Sequence, residues 1–424
     1  MKFDSYWLDT APPFEHAASA PPEGRFDVAV VGGGFTGLSA ARALSRAGAS
    51  VALLEAGRII GEASGRNGGQ CNTGVAQDYG ALVQRLGRDR AQRCYQAYAD
   101  AVESVERVIR DERIDCAFLR HGKLKLAAKP AHYEQLARTC ELIRQDVDPD
   151  VEMIPASRIG EEVASPLFHG GLLQRNGGQM HMGRFGVGLA TAAARHGASI
   201  FEHAAVSAID RRASGVRITT TRGEIEANEV LISTGASQVG PLKWYRRRMA
   251  PVGSFIVVTE PLDRERLDRL LPKRRAYVTS RIIGHYFRVT PDDRLLFGGR
   301  ARFAMSNLHS DAKSGALLRA GLEATFPELA GVKLDYCWGG LVDMTRDRLP
   351  RAGSHDGLYH SMGYSGHGVQ MSVHMGERMA ATLLGASDAN PWADFDWPAI
   401  PGHFGEPWFL PLVGAWYRLQ DRLH

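Results

Sequence analysis

Residues 27–55 read DVAVVGGGFTGLSAARALSRAGASVALLE, and this stretch decides the fold. An apolar run at 28–31 enters a turn that carries Gly32, Gly34 and Gly37. A helix-like stretch follows, and a second apolar run at 51–54 ends at Glu55. A helix between two short buried strands is typical of a βαβ unit, so the segment predicts the start of a parallel sheet.

Each part of this segment has a physical role. Gly32 permits a tight turn, Gly34 lets a pyrophosphate approach the backbone, and Gly37 allows the helix and strand to pack closely. The N–H groups at the start of the helix attract phosphate. Glu55 can accept hydrogen bonds from both ribose hydroxyls and would repel a 2′-phosphate. The segment predicts a dinucleotide site, and a glycine turn in some other α/β protein is the disfavoured alternative.

The composition indicates an ordinary globular protein. The chain has 424 residues, 44% hydrophobic and 23% charged, which is enough for two domains. A net charge of +4 with interspersed acids does not predict a nucleic-acid surface. Five cysteines without a CxxC pair favour a reducing compartment. We expect a cytoplasmic protein, because residues 1–25 lack a secretory pattern and no apolar stretch reaches the ~20 residues of a membrane span.

Further along the chain, glycine-rich stretches alternate with strand and helix patterns. Residues 58–80 carry too many glycines for a regular element and predict a loop pressed against another group. Residues 205–232 predict an antiparallel meander, and residues 122–128 (GKLKLAA) predict a strand. The fold class is therefore α/β (mixed α+β): a Rossmann-like nucleotide-binding domain with an inserted substrate domain built on a mainly antiparallel sheet.

The predicted domain boundaries follow from this alternation. They are an N-terminal arm at 1–25, a discontinuous nucleotide-binding domain at 26–80, 150–240 and 336–386, a substrate domain at 81–149 and 241–335, and a C-terminal tail at 387–424. Tyr6 and Trp7 of the arm should pack on the body. The aromatic end of the tail, 405–424, fits docking on the body better than a membrane-surface helix.

Three segments and Glu55 together carry a family resemblance. They are the first glycine turn, the loop 63–70 (ASGRNGGQ) and the loop 363–370 (GYSGHGVQ). The chain resembles the D-amino-acid-oxidase superfamily of FAD oxidoreductases. Within it, the SGRNGGQ loop, Ser5-Tyr6-Trp7 and the WFLP sequence at 408–411 most resemble γ-glutamylputrescine oxidase-like amine oxidases.

The resemblance implies FAD and the residues that bind it. The implied FAD-binding residues are Gly32, Gly34, Phe35, Thr36, Gly37, Glu55, Ala63, Ser64, Arg66, Asn67, Gly68, Gly69, Gln70, Val206, Gly235, Gly366, His367, Gly368, Val369 and Gln370. A helix that starts within 363–370 would direct its N-terminus at the negative charge of reduced flavin. We expect non-covalent FAD, because relatives tether it through a cysteine where this chain has Gly340, or through a histidine that 61–70 lacks.

The resemblance also implies a reaction. It is oxidation of a C–N bond in an amine or amino acid by hydride transfer to flavin N5, giving an imine that hydrolyses, with oxygen as the acceptor that yields hydrogen peroxide. One alternative is a D-amino-acid or N-methyl-amino-acid oxidase or dehydrogenase that uses a quinone or another acceptor. A flavoprotein binding module and an NAD-dependent dehydrogenase are the alternatives from other classes.

Substrate-pocket candidates come from the strand around residue 286 and the late glycine-rich segments. They are Tyr286, Arg288, Trp338 and His360, and no obligate acid or base is assigned. Arg288 or Arg300 could bind a substrate carboxylate, and the aromatic residues could equally belong to the core. No metal site is expected, because His360 and His367 lie on different kinds of element and no carboxylate completes a ligand set.

Overall fold

The computed structural model describes residues 1–299, 306 and 308–423. Its strands, in chain order, are β1 (Arg25–Val31), β2 (Val51–Leu54), β3 (Gln70–Asn72), β4 (Lys123–Leu126), β5 (Glu152–Ile154), β6 (Gly171–Gln174), β7 (Gly177–Gln179), β8 (Ser199–Phe201), β9 (Val206–Arg212), β10 (Gly215–Thr220), β11 (Glu224–Ile232), β12 (Ala250–Thr259), β13 (Ala276–Thr279), β14 (His285–Val289), β15 (Leu295–Gly299), β16 (Leu334–Met344), β17 (Arg351–His355) and β18 (Leu358–Met362). Its helices are α1 (Tyr6–Asp9), α2 (Phe35–Arg46), α3 (Ala63–Arg66), α4 (Tyr79–Leu86), α5 (Arg88–Glu112), α6 (Pro130–Asp146), α7 (Met182–Arg195), α8 (Lys243–Arg246), α9 (Arg264–Leu270), α10 (Leu308–Thr325), α11 (Gly368–Leu383) and α12 (Leu410–Leu423).

The first sheet is built on the βαβ unit that the sequence predicted. Its strand order is β17-β18-β11-β1-β2-β8, and β18, β11, β1, β2 and β8 run parallel. Strands β9, β10 and β11 form the predicted antiparallel meander. The central strands are continuously apolar because both faces are covered, one by helices and the other by the meander.

Helices α2 and α11 approach each other closely over this sheet. A Cβ at Gly376 of α11 would lie 2.5 Å from the Thr36 carbonyl oxygen and 2.6 Å from the Ser39 Cβ of α2. The Ser39 hydroxyl donates to the Val373 carbonyl at 2.7 Å. The two helices therefore pack backbone to backbone, which fixes where α2 begins.

The second sheet has the strand order β16-β12-β15-β14-β13-β4-β6-β5 and is antiparallel except for the β13–β4 pair. One face packs against α9 and α10 through an apolar cluster that includes Phe287, Phe297 and Leu318. Part of the opposite face is directed toward the first domain. This sheet is the inserted antiparallel sheet that the sequence predicted.

The two sheets divide the chain differently from the predicted domain boundaries. Strands β5 and β6 were placed at 150–240 in the nucleotide-binding domain, but they pair within the second sheet. Strand β16 also belongs to the second sheet, although most of it falls within 336–386. Helix α5, assigned to the substrate domain, packs on α7 and α11 of the first domain, where Arg42 forms a buried ion pair with Glu112 at 2.7 Å.

Both ends of the chain pack on the body. Tyr6 and Trp7 are buried, and the Trp7 indole N–H donates to the Asn67 carbonyl at 2.6 Å. In the tail, α12 packs Leu410 and Val413 beside Val252, while its other face remains exposed. None of the helices in the described ranges is both long enough and apolar enough to cross a membrane.

Replacing Gly376 by valine should separate α2 from α11, because its Cβ would overlap the Thr36 carbonyl oxygen. We expect the free energy of unfolding to fall by about 1–3 kcal/mol, measured by urea denaturation. Gly160→Ala is the control, since Gly160 is exposed and a Cβ there meets nothing within 4 Å. Equal stability of the two variants would contradict the close packing.

Candidate functional site

A cavity of about 1130 Å³ is lined by residues of both sheets. It lies beyond the carboxyl ends of the parallel strands β1, β2 and β11, which lead into Gly32, Glu55 and Ser233. Ligands of open α/β sheets bind at this edge. The volume exceeds the ~300–1,000 Å³ of most small-molecule pockets, so a dinucleotide and a second molecule have room.

The first glycine turn is forced by close contacts. Gly32 has φ +108°, and a Cβ on it would lie 2.9 Å from the Ser233 carbonyl oxygen. A Cβ on Gly37 would lie 2.0 Å from the Gly32 carbonyl oxygen. Only glycine at these two positions lets α2 begin directly against β1. The N-terminus of α2 therefore lies at the cavity, where it attracts anions.

Glu55 is fixed by the backbone around it. Its carboxylate accepts hydrogen bonds from the N–H of Gly33 at 2.6 Å and of Gly57 at 2.7 Å. Burial raises the pKa of Glu55, and these two hydrogen bonds oppose that shift. A carboxylate has about four acceptor positions, so Glu55, which lines the cavity, retains acceptors for a vicinal diol.

The second glycine segment contains two short regular elements that the sequence did not predict, α3 and β3. The polar side chains hold the loop itself: Arg66 donates to the Gly61 carbonyl at 2.9 Å, and the Asn67 side chain accepts from the Gly69 N–H at 2.9 Å. A Cβ on Gly68 would lie 2.5 Å from the Tyr286 ring. The backbone at Gly68 therefore lies against an aromatic ring at the cavity wall.

The third glycine segment leads from β18 into α11. Gly363, Ser365 and Gly366 all have positive φ, at +81°, +54° and +90°. The Asp343 carboxylate accepts from the Gly363 N–H at 2.6 Å, and burial raises the pKa of Asp343 to about 6. This turn directs the N-terminus of α11, which begins at Gly368, into the cavity.

Three hydrogen bonds join these separate segments. The Phe35 N–H donates to the Ser64 hydroxyl at 3.0 Å, which joins the first segment to the second. The Thr36 and Tyr364 hydroxyls are 2.8 Å apart, which joins the first to the third. The Gln370 amide donates to the Asn72 carbonyl at 2.5 Å, which joins the third to the end of the second. The three segments form one continuous wall.

Most of the residues that the sequence assigned to a cofactor line this cavity. They are Gly32, Gly34, Phe35, Thr36, Glu55, Ala63, Ser64, Arg66, Asn67, Gly68, Gln70, Val206, Gly235, Gly366, His367, Gly368, Val369 and Gln370. Gly37 and Gly69 are not among the lining residues. Gly37 packs under the turn, and Gly69 is enclosed by Arg288 and Trp7.

The wall fits a flavin dinucleotide. Glu55 presents acceptors to a ribose, and the N-termini of α2 and α11 both face the cavity. Gln370 is buried, and within the described residues its side-chain oxygen has no hydrogen-bond partner. A buried acceptor without a partner is costly, so an N–H donor from a bound ring at this position would satisfy it.

Of the four substrate-pocket candidates, Tyr286 lines the cavity and the other three do not. Tyr286 lines the cavity, and its hydroxyl lies 3.3 Å from the Ser254 hydroxyl. Arg288 does not line it: the buried guanidinium donates to the carbonyls of Gly69 and Met180. Burial lowers the pKa of Arg288 to about 9. Arg288 therefore holds the second loop and does not present its charge to a substrate.

Trp338 and His360 also lie outside the cavity wall. Trp338 is fully buried, and its indole N–H donates to the Arg66 carbonyl at 3.0 Å. His360 packs among aromatic rings, including Trp397 at 5.1 Å between ring centroids, and burial lowers its pKa to about 4. Neither Trp338 nor His360 lines the cavity, and Arg300 lies outside the described residues.

Sequence reasoning missed several cationic residues of the wall, which are Arg58, Lys123, Lys125, Arg281 and Arg348. Lys123 and Lys125 line the cavity from β4. The alternation in KLKL was available as a signal, because a strand with this pattern places both lysines on one face. The sequence could not tell whether that face meets solvent or a cavity.

Comparison with known proteins places the chain in a family. Residues 27–382 match the family model described as DAO, FAD dependent oxidoreductase. The γ-glutamylputrescine oxidoreductase of Escherichia coli K12 is 33% identical over 94% of this chain and 93% of its own length. A glycine oxidase of Bacillus licheniformis is 26% identical over 87% of this chain and 96% of its own length.

The fold agrees with this result. The crystal structure of glycine oxidase from Geobacillus kaustophilus superposes with a TM-score of 0.73 at 21% identity, covering 87% of this chain and 98% of that one. The resemblance found in the sequence, the FAD cofactor and the oxidoreductase class are thus confirmed. The chain belongs to the DAO family of FAD-dependent oxidoreductases.

Proposed function

We propose that this enzyme oxidises the C–N bond of a primary or secondary amine, including free or γ-glutamylated polyamines, with non-covalent FAD and with oxygen as the acceptor. The observation that carries the proposal is the joining of the three glycine segments into one wall by the hydrogen bonds of Ser64, Tyr364 and Gln370. Two lines of comparison support it: the names of the relatives and the family match.

In this proposal, the residues of the wall bind and orient the cofactor. The start of α2 holds the pyrophosphate, Glu55 the adenosine ribose, and Val206 the adenine side. Gly68 and the N-terminus of α11 would hold the flavin ring, and the helix N-terminus would favour the negative charge of the reduced ring. Bound FAD would supply the two-electron chemistry, which is oxidation of the C–N bond by hydride transfer to N5.

Several apolar side chains line the cavity along with Tyr286. Val278, Ile282 and Leu341 line it together with the tyrosine ring. Burial among such groups disfavours a charged amine, so the pocket promotes the neutral form that can lose hydride. The enclosing side chains exclude water and orient the substrate, and no side chain is assigned as an acid or base.

An α-amino-acid oxidase or dehydrogenase is the second candidate. The glycine oxidase relative favours it, and such a substrate needs a cation close to the reacting amine. Arg288 is held by backbone carbonyls, whereas Arg281 and Arg348 line the cavity. The substrate panel below separates this candidate from the first.

Anaerobic mixing of the purified protein with a panel of amines should bleach the flavin absorbance with at least one amine, and air should restore it. The panel contains putrescine, γ-glutamylputrescine, sarcosine, glycine and D-amino acids. Bleaching by amino acids alone would favour the second candidate. Bleaching that air does not reverse would reject oxygen as the acceptor, and no bleaching by any member would reject amine oxidation.

Replacing Glu55 by alanine should weaken FAD binding by about tenfold to hundredfold, because charged hydrogen bonds to the ribose are lost. The N–H groups of Gly33 and Gly57 also lose their acceptor. FAD affinity is measured by the quenching of flavin fluorescence during titration of the apoprotein. Glu15→Ala, at an exposed site in the N-terminal arm, is the control. An unchanged dissociation constant would contradict the ribose assignment.

Acid precipitation of the holoenzyme should leave all flavin in the supernatant. None of the five cysteines lines the cavity, and Cys337 is buried with its thiol donating to the Asp311 carbonyl at 3.3 Å. The side chains of His285, His367, Tyr286 and Tyr364 do line the cavity and could form a covalent link. A yellow pellet that survives washing would overturn the non-covalent assignment.

A further inference from the structure

Strand β4 contributes two lysines to the cavity wall. Lys123 and Lys125 alternate with Leu124 and Leu126, which are buried in the apolar cluster under the second sheet. Side chains on a strand alternate between faces, so the lysines share the face opposite the leucines. Both lysines line the cavity, and they are partly accessible because that face opens into it.

Both lysine side chains are partly buried at the cavity wall. Lys123 donates to the Thr73 carbonyl at 2.9 Å. Among the described residues, neither lysine forms an ion pair. Burial, together with the charge of Lys125, lowers the pKa of Lys123 to about 7. Burial also lowers the pKa of Lys125, which only Asp78 partly offsets. Buried cations of this kind are stabilised strongly by an anionic ligand.

Asp78, the acid that acts on the pKa of Lys125, already accepts two hydrogen bonds within the protein. The Asp78 carboxylate accepts from the Ala81 N–H at 3.1 Å, where it caps α4, and from the Thr139 hydroxyl at 2.5 Å. Asp78 also lines the cavity and therefore adds one negative charge beside the two positive ones. Near them, Asn72 is buried and lines the cavity, and within the described part of the chain its side-chain oxygen has no partner.

The sheet register fixes how far the lysines are from the flavin loop. Lys125 is the register partner of Val278 in β13, and Val278 is the partner of Tyr286 in β14. Two strand spacings separate the Cα atoms of Lys125 and Tyr286 by about 10 Å. The Tyr286 ring packs against Gly68 of the flavin loop. The row Lys125–Val278–Tyr286 therefore runs along the cavity wall from the cationic end to the flavin loop.

We propose that Lys123 and Lys125 form an anion subsite for a substrate carboxylate that is remote from the oxidised amine. This inference rests on the proposed amine oxidation. The Cα atoms of Lys125 and Tyr286 are about 10 Å apart, roughly the length of three extended residues. A carboxylate held at the β4 end of this row suits a substrate longer than glycine or sarcosine. The substrate class is therefore a diamine acylated at one end by an acid that keeps a free carboxylate. Asp78 accommodates an ammonium group beside that carboxylate, as in an amino-acid acyl group.

The test compares two substrates with the same reacting amine. One is putrescine acylated by glutaric acid, which carries a carboxylate, and the other is putrescine acylated by pentanoic acid, which does not. Lys123→Met and Lys125→Met remove the charge and keep an unbranched side chain that is one atom shorter. Stopped-flow flavin reduction without oxygen gives the apparent dissociation constant and the limiting rate for each pair.

We expect each variant to raise the apparent dissociation constant of the acidic substrate by at least about tenfold and that of the neutral substrate by less than about twofold. Lys125→Arg should recover most of the loss. The control is Lys313→Met, on the exposed side of α10, which should behave like the unsubstituted protein. Equal losses for both substrates, or no loss for either, would overturn the subsite.

A binding measurement separates this proposal from the proposed function. Equilibrium dialysis of N-butylglutaramic acid, which carries the carboxylate but no oxidisable amine, should show binding that both methionine variants weaken. If that binding is seen while no amine bleaches the flavin, the subsite stands and amine oxidation fails. If the variants instead change FAD affinity and leave binding of the acid unchanged, the lysines serve the cofactor and the proposal fails.

Discussion

Close backbone contact around the turn at 32–37 is the constraint on which the rest of the structure depends. A Cβ on Gly37 would overlap the Gly32 carbonyl, and one on Gly376 would overlap the Thr36 carbonyl. These contacts set α2 between β1 and α11 with its N-terminus at the cavity. The hydroxyl pair of Thr36 and Tyr364 then fixes the third glycine segment to the same point. Fold and cofactor site are thus one arrangement, because the contacts that build the core also position the phosphate-binding turn.

The cationic residues of the second sheet have two different roles. Arg288 donates to the carbonyls of Gly69 and Met180 and so holds the second loop in place. Lys123 and Lys125 lie on the interior strand β4 of the same sheet and face the cavity without an ion-pair partner among the described residues. A guanidinium suits several fixed carbonyls because its donors form a rigid fork, whereas a flexible ammonium suits a mobile anion.

Local patterns predicted the parts of the fold that depend on neighbours in sequence. The glycine spacing with Glu55 identified the βαβ unit, and alternation identified the meander at 205–232. Strands β5 and β6 were placed in the wrong domain, since a three- or four-residue strand carries no sign of its partner. Trp338 and His360, which were predicted as pocket candidates, lie outside the cavity wall for a related reason. A strand pattern shows which residues share a face, but not what that face contacts.

The sequence by itself determined the class of cofactor, because phosphate binding needs glycines and a helix start that are contiguous in the chain. It also determined that three glycine segments exist. Only the tertiary structure decided that they meet, that Arg288 turns to backbone carbonyls and that two lysines of an ordinary-looking strand face the cavity. Apart from the Phe35–Ser64 bond, these outcomes depend on contacts between residues more than a hundred positions apart. Such contacts are set by packing of the whole chain rather than by any local pattern.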